Sequence, residues 1–63
     1  MKVNHDVTIT YQYEGDVEKT VTINNLTSIL IGKEAVHLYD EVRGWHYPAW
    51  AVKHLEISIT SNN

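Results

Sequence analysis

Gly44-Trp45-His46-Tyr47-Pro48-Ala49-Trp50-Ala51-Val52 is the stretch of sequence around which the rest of the chain is arranged. This segment, the aromatic window, contains both tryptophans and the single proline of the 63 residues. Pro48 fixes its own φ, has no N–H to donate and favours extended geometry at the preceding residue. We therefore predict a short strand over residues 45–47 and one helical turn that begins at Pro48.

Alternating apolar and polar residues on both sides of the aromatic window predict β-strands. Before the window, this pattern covers residues 3–13, 17–23 and 34–40, and after it residues 53–60. The residues expected on the inward faces are Val7, Ile9, Tyr11, Tyr13, Val17, Val21, Ile23, Val36, Leu38, Leu55, Ile57 and Ile59.

Glycine and asparagine mark the predicted connections between these strands. Gly15 supplies the turn of a first hairpin, Asn24-Asn25 a bend, and Gly32-Lys33 a tight turn, while residues 41–44 connect to the aromatic window. The threonines of the first hairpin predict either a solvated outer face or an edge that pairs with a second copy.

The segment at residues 26–31 ends in a nearly continuous apolar run, Ile29-Leu30-Ile31. Such a run is typical of a strand that is buried on both faces. We therefore expect burial inside the domain or in a subunit contact.

From Trp45 to Ile59 the sequence resembles the end of small SH3-like barrels, in which a 3₁₀ turn separates the last two strands. This resemblance implies an all-β, five- to six-stranded antiparallel barrel at residues 1–60, followed by a polar tail at residues 61–63. In size and style the chain also resembles compact accessory proteins of phages and mobile elements, some of which sequester nucleotide signals. That second resemblance implies an anti-defence role in the cytosol of a host cell.

Composition and charge exclude several classes of protein. A chain of 63 residues without cysteine has room for one domain and no disulfide, so homo-oligomerisation is the stabiliser that remains. The net charge of −3 argues against binding of polymeric nucleic acid. Because the sequence lacks an apolar run of about 18 residues and the start at residues 1–6 lacks a secretory pattern, we expect a cytoplasmic protein that avoids membranes.

The aromatic window is also the predicted binding site. Its rings either fill the core, stack on a planar ligand, or form a hot spot for another protein. Arg43 provides a guanidinium for a phosphate or carboxylate, and Lys53 and His54 add donors. The candidate ligand-binding residues are Tyr39, Arg43, Trp45, His46, Tyr47, Trp50, Lys53 and His54.

The sequence favours sequestration of a small, planar, anionic ligand such as a nucleotide, with a cyclic nucleotide signal as one candidate, by a homo-oligomer. The alternative is a phage-type module that inhibits or docks onto a host protein. The sequence does not decide between these functions.

Catalysis and metal binding receive little support from the sequence. The four histidines, His5, His37, His46 and His54, lack the short paired spacing of metal-binding helices, although convergence across strands stays open. None of the serines lies in a nucleophile elbow, no glycine loop could hold phosphates, and Asp40-Glu41 is best explained as a turn. We therefore predict neither an enzyme, nor a cofactor, nor a metal site.

Overall fold

The computed structural model describes residues 3–60 of the chain, so the predicted tail at residues 61–63 lies outside the described residues. The predicted all-β fold is confirmed. The elements in chain order are β1 (His5–Tyr11), β2 (Lys19–Leu26), β3 (Ser28–Ile31), β4 (Ala35–Tyr39), β5 (Gly44–Pro48), a 3₁₀ turn (Ala49–Ala51) and β6 (Val52–Ile59).

The first sheet is antiparallel and has the strand order β2-β1-β6. Its central strand follows the predicted alternation, because Val7 and Ile9 are fully buried. The opposite face of β1 and β2 carries threonines, and the hydroxyl pairs Thr8–Thr22 and Thr10–Thr20 each lie 3.0 Å apart on the exposed side. These cross-strand pairs fix the register of the first hairpin.

The second sheet is an antiparallel meander with the strand order β3-β4-β5. The predicted inward positions of β4 are confirmed, because Val36 and Leu38 are both buried. Two backbone bonds border the β4–β5 ladder: the Asp40 N–H donates to the Arg43 carbonyl at 3.0 Å, and the Ala49 N–H donates to the Glu34 carbonyl at 2.9 Å.

The core lies between the two sheets and is apolar throughout. No polar or charged side chain is buried among the described residues. Trp45, Leu55 and Val52 pack against the core without being fully covered. The buried core cluster contains residues of both sheets: Val7, Ile9, Ile23, Leu26, Val36, Leu38 and Tyr47.

The chain passes between the sheets at two corners. Thr27 alone separates β2 from β3, and its N–H donates to the Tyr39 carbonyl at 2.8 Å. At the other corner the predicted helical turn is confirmed as a 3₁₀ turn that Pro48 precedes with a φ of −66°. Within residues 3–60 the sheets do not join into a closed barrel, because β5 pairs only with β4 and β6 only with β1.

The predicted bend at Asn24-Asn25 does not end a strand. Instead, β2 continues to Leu26 and absorbs the irregularity as a register shift opposite residues 5–7 of β1. Asn25 has a positive φ of 61°, which asparagine tolerates better than most residues. The Asp6 carboxylate accepts the Asn25 N–H at 3.1 Å and so fixes this distortion.

Three groups of residues that the sequence predicts to be buried are exposed within the single chain, and the alternative that a subunit contact covers residues 29–31 stays a prediction. The side chains of Leu30 and Ile31 are 60% and 58% exposed, so β3 is not buried on both faces. Ile57 and Ile59 of β6 are also exposed, although they alternate with outward residues as predicted. Val17 lies before β2 and is exposed as well. Ile31, Ile57 and Ile59 lie on edge strands of three-stranded sheets. Leu30 is exposed for a different reason, because it pairs with His37 and so lies on the outer face of the second sheet.

Candidate functional site

Because successive side chains of β5 point to opposite faces of the second sheet, the residues of the aromatic window are divided between those faces. Trp45 pairs with Leu38 and Tyr47 with Val36, and these partners point into the core. His46, between them, therefore lies on the outer face opposite His37. A single pocket cannot include all residues of the window.

A groove of about 460 Å³ lies between β2 and β5, which are edge strands of different sheets. We call it the β2–β5 groove. It is lined by Val21, Thr22, Ile23, Asn24, Arg43, Trp45 and Tyr47. Three of these residues were candidates from the sequence, whereas the four from β2 were missed because only the packing of the two sheets brings β2 near β5.

The Arg43 backbone is held by a tight turn at residues 40–43. The Asp40 carboxylate accepts the backbone N–H groups of Val42 at 2.8 Å and Arg43 at 2.6 Å. These backbone hydrogen bonds, first that from Val42, lower the pKa of Asp40 below its ordinary value of 3.8. The turn interpretation of Asp40-Glu41 is therefore supported, and the carboxylate is engaged in holding Arg43 in place.

The Arg43 guanidinium lies over the Trp45 ring, with its central carbon 5.1 Å from the ring centroid. This is cation–π distance. Its nearest approach to the Asp40 carboxylate is 3.6 Å, which is an ion pair but too long for a hydrogen bond. Because the Arg43 side chain is 71% exposed, its N–H donors remain accessible at the mouth of the β2–β5 groove.

Tyr47 forms the inner wall of the groove. Its ring is buried and lies 4.8 Å from the Tyr11 ring, between centroids. Burial, followed by the nearby Tyr11 and Tyr13, raises the pKa of Tyr47 above its ordinary value of 10.0. The Tyr47 hydroxyl is therefore protonated at neutral pH, and among residues 3–60 Arg43 is the one charged side chain that lines the groove.

Trp50 lies elsewhere. It is 64% exposed in the 3₁₀ turn, and its ring meets the Tyr13 ring edge-on at 5.9 Å. Tyr13 in turn contacts Tyr11 at 5.5 Å, so a row of rings connects Trp50 to the wall of the groove. Of the two tryptophans, Trp45 is thus the partly buried one and Trp50 the exposed one.

The other four sequence candidates lie outside the β2–β5 groove. Tyr39 and His46 contact each other on the outer face of the second sheet, with ring centroids 5.6 Å apart. Lys53 and His54 are exposed on β6, and His54 lies 3.3 Å from the Glu56 carboxylate. The structure brings Arg43, Trp45 and Tyr47 together in the groove and places the other five candidate residues outside it.

A second concavity, of about 360 Å³, lies on the other side of the turn at residues 40–43. Asp40 and Glu41 line it together with Asn4, Asn25, Thr27 and Val42. Its two carboxylates make it unsuitable for an anion.

Comparison with protein-family models, with curated proteins and with solved structures finds no match to this chain. In the described part of the chain, no helix has the length and apolar character needed to cross a membrane.

Proposed function

We propose that the protein is a non-catalytic binder that sequesters a small, planar, anionic ligand in the β2–β5 groove. The observation that carries this proposal is the accessible Arg43 guanidinium held over Trp45 at the groove mouth. A nucleotide combines the two features that this pair recognises, a flat ring and a phosphate.

The dimensions and chemistry of the groove support this ligand class. Its volume of about 460 Å³ lies within the range of about 300–1,000 Å³ that small-molecule sites occupy. Stacking of a base on an aromatic ring contributes about 1–3 kcal/mol, and a guanidinium can bind phosphate through two parallel hydrogen bonds. On the β2 side, the groove is lined by the neutral polar residues Thr22 and Asn24.

The proposal includes a homo-oligomer. The exposed apolar residues of the edge strands support it, because Leu30, Ile31 and Ile59 are each more than half exposed in the single chain. A domain of this size without disulfides gains stability by covering such residues with a second copy. In this proposal, the homo-oligomer sequesters the ligand in the cytosol of a host cell. Such sequestration is the anti-defence role that the resemblance to phage accessory proteins implies.

We also propose that the two sheets together correspond to an SH3-like barrel. The strand orders β2-β1-β6 and β3-β4-β5 support it, as do the one-residue corner at Thr27 and the 3₁₀ turn between β5 and β6. This fold would not itself assign a ligand.

The test is isothermal titration of the protein with a panel of mono-, di- and cyclic nucleotides at micromolar protein concentration. We expect at least one of them to bind and Arg43→Gln to weaken that binding tenfold or more. Lys53→Gln is the matched control, because it also removes one positive charge but lies on β6 outside the groove. Absence of heat across the whole panel, or equal losses in the two variants, would contradict the proposal.

Fluorescence locates the binding event. In the variant Trp50→Phe, Trp45 is the remaining indole, so a ligand in the β2–β5 groove changes the emission of a single reporter. An unchanged emission spectrum at saturating ligand would place the ligand elsewhere. Native mass spectrometry of the purified protein then counts the subunits and identifies any small molecule that co-purifies.

The alternative function is a module that inhibits or docks onto a host protein. The exposed Trp50, supported edge-on by Tyr13, favours it, because exposed tryptophan and tyrosine dominate protein hot spots. Under this alternative, Trp50→Ala abolishes capture of one host protein while nucleotide titrations show no heat. Under the leading proposal, Trp50→Ala leaves nucleotide binding intact.

A further inference from the structure

The outer face of the second sheet holds a pair of histidines that plays no part in the β2–β5 groove. His37 of β4 and His46 of β5 are direct cross-strand partners. Their Nδ1 atoms lie 2.7 Å apart, and the ring centroids are 5.0 Å apart. Each ring therefore presents the same nitrogen to a single point in space.

The register of the β4–β5 ladder explains why the two rings meet. The backbone bonds of the Asp40–Arg43 and Glu34–Ala49 pairs mark hydrogen-bonded pairs at both ends of the ladder. Because bonded and non-bonded pairs alternate in antiparallel sheets, His37–His46 is a non-hydrogen-bonded pair. Side chains of such pairs are the closest across a sheet, at about 4.5–5.5 Å between Cβ atoms.

The surroundings of the pair contain aromatic and apolar groups. The Tyr39 ring is nearly parallel to the His37 ring, with centroids 6.4 Å apart, and meets the His46 ring edge-on. Gly44 makes room for this arrangement, because a Cβ there would lie 3.0 Å from Cδ1 of Tyr39 and 3.2 Å from Nε2 of His46. Leu30 borders His37 on the other side, as its partner on β3.

The pair has the chemistry of a transition-metal site. In this hydrogen bond the Nδ1–H of one ring donates to the lone pair of the other Nδ1, so a single proton lies between the two nitrogens. Metal–nitrogen bonds of about 2.0–2.1 Å place two neighbouring ligand nitrogens about 3.0–3.4 Å apart. The observed separation of 2.7 Å therefore needs only a small opening of the rings, with the shared proton moving to the Nε2 of its own ring.

We propose that His37 and His46 bind one divalent transition-metal ion, such as Zn²⁺, through their two Nδ1 atoms. Within residues 3–60, no third histidine, cysteine or carboxylate completes the set, so water fills the remaining positions. Imidazole ligands select zinc, copper or nickel, whereas Mg²⁺ and Ca²⁺ require oxygen ligands. The spacing of the histidines did not predict this pair, because His37 and His46 lie far apart in the sequence and only the strand register joins them.

The experiment is isothermal titration of the untagged full chain with zinc chloride alone. We expect one Zn²⁺ per chain, no binding of Mg²⁺, and affinities at least tenfold weaker for His37→Gln and His46→Gln, since even indirect changes at metal sites cost about 10–100-fold. His54→Gln is the control, because His54 is an exposed histidine on the other sheet.

Two further measurements keep the result interpretable. Circular dichroism of His46→Gln checks that the sheet is intact, which we expect because His46 is an exposed side chain. The imidazole proton signals of His37 and His46 should shift together as zinc is added, while those of His54 stay in place. The proposal is overturned if the wild-type chain binds no zinc, or if His54→Gln loses as much affinity as the paired variants.

Discussion

Two leucines on neighbouring strands provide a sharp test of which faces of the second sheet are covered. Leu38 of β4 is fully buried, whereas Leu30 of β3 is 60% exposed and points to the opposite face. Truncation of both to alanine removes the same atoms. The difference between the two variants therefore reports burial alone.

Leu38→Ala should destabilise the fold severely. Removal of a fully buried leucine side chain costs about 2–5 kcal/mol, because it loses transfer free energy and leaves a cavity. A domain of 63 residues has a free energy of unfolding of about 3–9 kcal/mol. At the middle of both ranges, the variant is expected to lose about half of its free energy of unfolding. Leu30→Ala removes little buried area and should cost about 1 kcal/mol or less.

The assay is urea unfolding followed by circular dichroism, at two protein concentrations that differ tenfold. We expect a large shift of the midpoint for Leu38→Ala and a small one for Leu30→Ala, with similar slopes against urea. Equal losses for the two variants at both concentrations would refute the assignment of the two faces. A loss for Leu30→Ala that appears only at the higher concentration would instead show that a second copy covers β3.

Three further predictions concern single side chains. Asp40→Asn should lower the stability of the fold at neutral pH and flatten the dependence of that stability on pH. The lowered pKa of Asp40 contributes stability that is complete above the ordinary value of 3.8 and is lost as the pH falls, which acid titration followed by circular dichroism measures. The raised pKa of Tyr47 contributes stability that is complete below pH 10.0 and is lost above it. Tyr47→Phe should therefore reduce the alkaline loss of stability, which alkaline titration followed by circular dichroism measures. Gly15→Ala should cost about 1–2 kcal/mol in thermal or urea unfolding because of its φ of +80°, and Gly15→Asn less.

The sequence predicted the positions of the strands better than the burial and spatial neighbours of their side chains. Period-two alternation located β1, β4 and β6 to within two or three residues, and Pro48 located the 3₁₀ turn. These signals are local, because they depend on backbone geometry and on which face of one strand is apolar. Asn24-Asn25 predicts a bend between strands because asparagine tolerates positive φ, yet β2 continues through Asn25 as a bulge whose N–H the Asp6 carboxylate accepts.

The candidate site was harder to predict, since it depends on two quantities that the pattern does not contain. One is whether a side chain faces the other sheet or points away from it, and this difference separates Trp45 from His46. The other is long-range arrangement, because strand register brought His46 to His37 and the packing of the two sheets brought β2 near Arg43. Aromatic density predicted one site in a segment whose residues the structure divides between two faces of the sheet.

The order of the strands along the chain has a consequence for how the protein is made. The second sheet uses only residues 28–48, whereas the first requires β6 to return to β1, joining His5 to Ile59. Local contacts form quickly and distant ones slowly, so the meander is expected to precede the other sheet in folding. During synthesis, β1 lacks one of its two neighbours until β6 has left the ribosome, and in that interval the unpaired edge of β1 is most exposed to pairing with a wrong strand.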